Sequence, residues 1–103
     1  MIQTTARVPT ANAAKYVINL CKHWGERIDV NFRKRQGVIH LGSAVASLTP
    51  AQGELVVTIL GNDDATIERF QSVVAERIAH LAQREGPLEF DWHRLSDVEV
   101  HAL

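Results

Sequence analysis

Ile28-Asp29-Val30-Asn31-Phe32-Arg33-Lys34-Arg35-Gln36-Gly37-Val38-Ile39-His40-Leu41 is the stretch whose reading decides the fold. Apolar Ile28, Val30 and Phe32 alternate with polar Asp29, Asn31 and Arg33, the twofold period of a strand with one dry and one wet face. Residues 34–37 read as a turn whose Gly37 can take a positive φ, and residues 38–41 begin the next strand. Gly42-Ser43 interrupts the chain, a strand resumes over residues 44–49, and Pro50-Ala51-Gln52-Gly53 turns it again. Leu55, Val57 and Ile59 mark a fourth strand of this meander. Turns this short imply antiparallel neighbours, because parallel ones need long crossovers.

Working outward, residues 2–8 read as a strand rich in β-branched side chains and stopped by Pro9. Thr10 then stands where an N-cap belongs. Ala13, Val17, Leu20, Cys21 and Trp24 share one helical face, which predicts a helix over residues 11–24 ended by Gly25. On the other side, Asn62-Asp63-Asp64 offers N-caps and negative charge to a second helix. Ile67, Phe70, Val74, Ile78 and Leu81 form its stripe, and Gly86-Pro87 should end it near Glu85. Leu88, Phe90 and Trp92 alternate with acidic residues as a last strand, followed by a loose tail over residues 95–103. The order is β-α-β-β-β-β-α-β. An antiparallel sheet with one apolar face has only these two amphipathic helices to cover it, so the expected architecture is an α+β two-layer sandwich, a curved sheet with both helices on one face. The element order resembles that of TATA-binding-protein-like and helix-grip folds, an analogy that carries no function.

Composition narrows the possibilities. At 103 residues, with 46% hydrophobic and 22% charged side chains, the chain suits a single globular domain, placed over residues 1–94. Eleven basic against twelve acidic side chains give a formal charge of -1, which supplies no basic field for nucleic acid. A lone cysteine cannot form an internal disulfide and fits the cytoplasm. Neither an export signal nor a membrane-spanning run is read in the sequence.

Candidate chemistry concentrates in Leu20-Cys21-Lys22-His23-Trp24-Gly25. Cys21 falls inside the apolar stripe and is expected to behave as an inert core thiol. His23 lies on the stripe's flank beside Tyr16 and Asn19, where it could face a ligand or cap the helix C-terminus. Cys21 and His23 are two apart on a helix and cannot converge on one metal, and the other histidines do not pair with them. No two carboxylates form an acid-base pair, and Gly-rich phosphate loops and Gly-x-Ser-x-Gly elbows are absent. Arg77 and Arg84 share a flank of the second helix one heptad apart, as an anion-binding edge or a soluble one. Nothing here supports an enzyme, a cofactor or a bound metal.

Three groups of residues carry a family resemblance: Ala6-Arg7-Val8 leading into Ala14-Lys15-Tyr16, the helix end Leu20-Cys21-Lys22-His23-Trp24, and Arg84-Glu85 with Phe90-Asp91-Trp92. The chain is similar in these to the bacterial domain of unknown function 2218, over residues 1–94. The family's second helix commonly has a histidine where Arg77 stands and an arginine where His80 stands. The resemblance implies a small cytoplasmic protein or module, linked to siderophore-interacting flavoreductases and ferric-siderophore genes, with an accessory role in iron acquisition. Two functions remain open. One is a ligand-binding accessory domain that holds an anionic small molecule or iron chelate with His23, Tyr16, Arg77 and Arg84. The other is a module that homodimerises or docks a partner through a strand edge or apolar patch.

Overall fold

Six strands and two helices follow one another as β1 (Ile2–Pro9), α1 (Ala13–Gly25), β2 (Asp29–Arg33), β3 (Gln36–His40), β4 (Ala44–Ala51), β5 (Glu54–Gly61), α2 (Asp64–Leu81) and β6 (Trp92–Leu95). The computed structural model describes residues 2–25, 29–33, 36–40, 42–83, 85 and 88–95. The strands form one open antiparallel sheet in the order β2-β3-β4-β5-β1-β6. The expected α+β architecture and element order are those observed.

Alternation decides which face is dry. Thr4, Ala6 and Val8 of β1, Ile39 of β3, Ala44, Ala46 and Leu48 of β4, and Leu55, Val57 and Ile59 of β5 are all buried. Against this face α1 sets Ala13, Val17, Leu20 and Trp24, packing on β2, β3 and β4, while α2 sets Ile67, Val74 and Ile78 on β5 and β1. Phe70 and Phe90 pack against this core half-buried, and the Phe32 side chain lies outside the described residues. Buried Thr4 keeps a partner, because the Gln71 amide donates to its Oγ1 at 3.1 Å. On the opposite face Thr5 and Thr58 meet hydroxyl to hydroxyl at 3.3 Å, the Gln36 amide donates to Ser47 and Thr49 at 2.9 Å each, and Arg7 pairs with Glu54 at 3.0 Å. No described element covers that face.

Local chemistry sets the joints. Asp63 caps α2, its Oδ1 accepting from Thr66 N–H at 2.7 Å, and these bonds hold its carboxyl below the usual range. Gly61 precedes that cap, and a Cβ there would sit 3.1 Å from Ile67 Cδ1, so glycine lets α2 close onto the end of β5. Gly53, at φ +74°, closes the β4–β5 turn. Several boundaries differ from expectation. Gly37 belongs to β3, opposite Phe32 and Leu48, and not to the turn. Pro9 and Pro50 lie inside strands, each where its strand has a neighbour on one side only, so a missing N–H is tolerated. The last strand forms at Trp92–Leu95, opposite residues 3–6 of β1, and takes in Leu95; residues 96–103 of the expected tail lie outside the described residues.

The second helix ends at Leu81, capped by Ala82, four residues before Glu85. The freed chain brings Glu85 to the start of α1. There its Oε2 accepts from the Tyr16 hydroxyl, from Thr10 Oγ1 at 2.9 Å and from Asn12 Nδ2 at 3.3 Å, while Thr10 Oγ1 accepts from Asn12 N–H at 3.1 Å. A carboxylate beside a helix N-terminus is also favoured by the dipole. The bond from Tyr16, then that from Thr10, holds the Glu85 carboxyl below its ordinary range, and burial followed by the bond to Glu85 pushes the Tyr16 hydroxyl up.

Leu20 is fully buried, so Leu20→Ala is expected to cost about 3 kcal/mol in urea denaturation, and half-buried Phe70→Ala less, about 2 kcal/mol. The reverse order would contradict this packing. Because Glu85 titrates lower in the folded state, its contribution is present above the unfolded value of about 4.3 and fades as pH falls through the folded one. The melting-temperature gap between the protein and Glu85→Gln should therefore be largest near neutrality and close on acidification. A gap independent of pH would show that the charge of Glu85 does not hold this joint.

Candidate functional site

Where the C-terminal turn of α1 passes α2, His23 and Trp24 meet the outer flank of the second helix. Helical periodicity puts Val73, Glu76, Arg77 and His80 on one strip of α2, at i, i+3, i+4 and i+7, beside the core stripe of Ile67, Val74 and Ile78. With Trp24 these four residues line an open groove of about 320 Å³. Trp24 is buried, at 8% exposure, and its ring and that of His23 lie 6.3 Å apart at 58°.

Arg77 is the polar centre of this arrangement. Its Nη2 donates to His23 Nδ1 at 3.1 Å. An arginine offers no acceptor, so Nδ1 must be the acceptor and the neutral imidazole carries its proton on Nε2. Arg77 Nε is shielded from solvent without a hydrogen-bond partner, and no carboxylate pairs with the guanidinium among the described residues. His80 takes a bond from the Gln83 amide to its Nδ1 at 3.4 Å. Lys22 and His23 occupy the last turn of α1, where the dipole favours positive charge. Glu76 is the acid on the groove wall, against one guanidinium and two imidazoles around it. Hydrogen-bond donors and an aromatic wall beside an incompletely satisfied guanidinium suit an anionic ligand with a flat apolar part.

Of the residues anticipated from sequence, His23 and Arg77 come together. Tyr16 does not join them: it lies two turns back on α1, buried and committed to Glu85. Arg84 lies outside the described residues. Trp24, Val73, Glu76 and His80 were not anticipated as a lining. Their signal was the i, i+3, i+4, i+7 strip on α2, with Val73 exposed at 39% where an apolar residue had no core to meet.

The remaining candidates fall elsewhere. Cys21 is half-buried, burial pushes its thiol up, and it opens with Ile18, Lys22, Gly25 and Val30 onto a separate groove between α1 and β2. His40 bonds to the Asn31 amide at 3.3 Å and His93 to Asp91 at 3.2 Å. Among the described residues no three His, Cys, Asp or Glu side chains converge to hold a metal, and no helix is long and apolar enough to cross a membrane.

Comparison with known proteins places this chain in a family. The family described as "Uncharacterized protein conserved in bacteria (DUF2218)" matches residues 5–93. The NMR structure of PA4090 from Pseudomonas aeruginosa has the same fold, with a TM-score of 0.79 and 30% sequence identity over 90% of this chain and 96% of that one. A search of curated proteins finds no match. With the match spanning β1 to β6 and a solved structure of the same fold at this identity, the chain belongs to the conserved bacterial family DUF2218.

Proposed function

We propose that this domain is a non-catalytic ligand-binding accessory module that takes an anionic small molecule of the iron-chelate class in the groove lined by Trp24, Arg77 and His80, beside His23. The carrying observation is Arg77, an under-partnered guanidinium held by His23 beside an open groove with an aromatic wall. A ligand carboxylate or catecholate entering there completes charge-assisted hydrogen bonds of about 1.5–3 kcal/mol each. The iron-chelate class and a cytoplasmic role beside a siderophore-interacting reductase rest on the family resemblance, and the geometry supports the anion. His23 acts as the orienting group. By accepting from Nη2 it fixes the guanidinium plane, while its own Nε2–H remains a donor.

Calorimetric titration with a ferric tris-catecholate, the same catecholate without iron, and a ferric salt tests the reading. The ferric catecholate is expected to bind and the salt is not. His23→Ala and Arg77→Gln should each leave the melting temperature nearly unchanged and weaken binding more than about tenfold, or about 1.4 kcal/mol. Absence of binding, or binding that ignores both substitutions, would overturn the assignment.

A further inference from the structure

The second groove, about 290 Å³, lies between α1 and β2, and among the described residues its walls are Ile18, Cys21, Lys22, Gly25 and Val30. The first four stand at i, i+3, i+4 and i+7, a single strip along the flank of α1. At 1.5 Å per residue that strip is about 10 Å long. Its composition is unusual for a flank that meets solvent. Ile18 is 44% exposed, and Cys21 and Val30 are half-buried, each touching the core behind and the groove in front. Burial pushes the Cys21 thiol up, so at neutral pH it is a small uncharged hydrophobe on the wall. Lys22 supplies the charge of this wall, and no acid lines the groove among the described residues.

Size and charge together select the occupant. A mostly apolar trough with one polar group at its rim has the make-up of a small-molecule site, and this one is at the lower end of the usual volumes. A helix, about 10 Å across, is too thick for it. An extended chain advances about 1.2 Å per bond, so about eight or nine bonds span the strip. The head group must be anionic to meet the Lys22 ammonium, which a flexible stem carries to the rim. The negative end of the helix dipole at Gly25 repels a carboxylate placed there, so the head belongs on Lys22 and the chain points back toward Ile18. We propose that this groove is a second binding site, separate from that of Arg77, for a free medium-chain carboxylate whose unbranched chain lies along Ile18, Cys21 and Val30 and whose head pairs with Lys22.

Cys21 reports occupancy, because a bound chain covers its thiol. The rate of its reaction with dithiodipyridine, an uncharged reagent, is to be measured against hexanoate, octanoate and decanoate, with calorimetry to establish one ligand per chain. Half-protection by decanoate is expected between about 10 μM and 1 mM. The concentration needed should fall about two- to fourfold for each added CH₂, fourfold being the limit for full burial. Decyltrimethylammonium, with the same chain and the opposite charge, should protect more than about tenfold less well. Lys22→Glu should reverse that preference, and Ile18→Asp should weaken decanoate more than about tenfold, both without loss of melting temperature because both side chains are exposed. Arg77→Gln should leave decanoate binding unchanged. Absence of protection, an affinity that ignores chain length, equal binding of the cation, or loss of decanoate binding on Arg77→Gln would each overturn the proposal. Protection by phosphatidylglycerol vesicles without protection by the free acids would also overturn it and assign the strip to a lipid surface.

Discussion

The structure hangs on strand β5. It is paired along all eight of its residues with β4 on one side and β1 on the other, and both helices pack against its buried face. Leu55, Val57 and Ile59 are each fully buried there, worth about 1.5–3 kcal/mol apiece in apolar area removed from water. A slip of one residue would turn all three toward solvent and present Val56, Thr58 and Leu60 in their place, so this strand fixes the register of its neighbours. It also fixes the height of α2, because Gly61 ends the same buried row and admits Ile67 at close range.

Once both helices lie on that face, two polar contacts of different character tie the two ends of α1 to the second helix and the chain that follows it. At one, three donors converge on a single Glu85 oxygen. At the other, Arg77 holds His23 by one N–H and is not saturated. The first contact has the character of a fastener and the second that of a receptor. The difference lies in how many partners the surrounding backbone brings to each charge, since a buried or shielded ionic group without enough partners is unfavourable to leave alone.

Much of the fold was legible because the twofold and 3.6-residue periods are written in single residues: Ile28 to Phe32, Leu55 to Ile59, and Ile67 to Leu81. The departures occur where tertiary contacts override local signals. Gly37 and Pro50 are turn residues by propensity, but the register of β3 and β4 absorbs both. The end of α2 at Leu81 leaves Glu85 free to reach Thr10, Asn12 and Tyr16, a contact spanning some seventy residues that no local pattern announces. The same contact explains why Tyr16, which sequence alone grouped with His23, belongs to another part of the molecule. His23 and Arg77 were legible as helix-flank residues, but their meeting depended on how α1 and α2 pass each other.

The hydroxyl-bearing face of the sheet, with Thr5, Ser47, Thr49 and Thr58, leaves alternate side chains of β1, β4 and β5 in partial contact with water in the folded state. Unfolding therefore exposes less new apolar surface than it would in a chain of equal length with helices on both faces. The heat-capacity increment and denaturant sensitivity of this domain belong at the low end for its size. A broad, shallow stability curve is the expected consequence, set by the number of layers in the fold and not by any particular side chain.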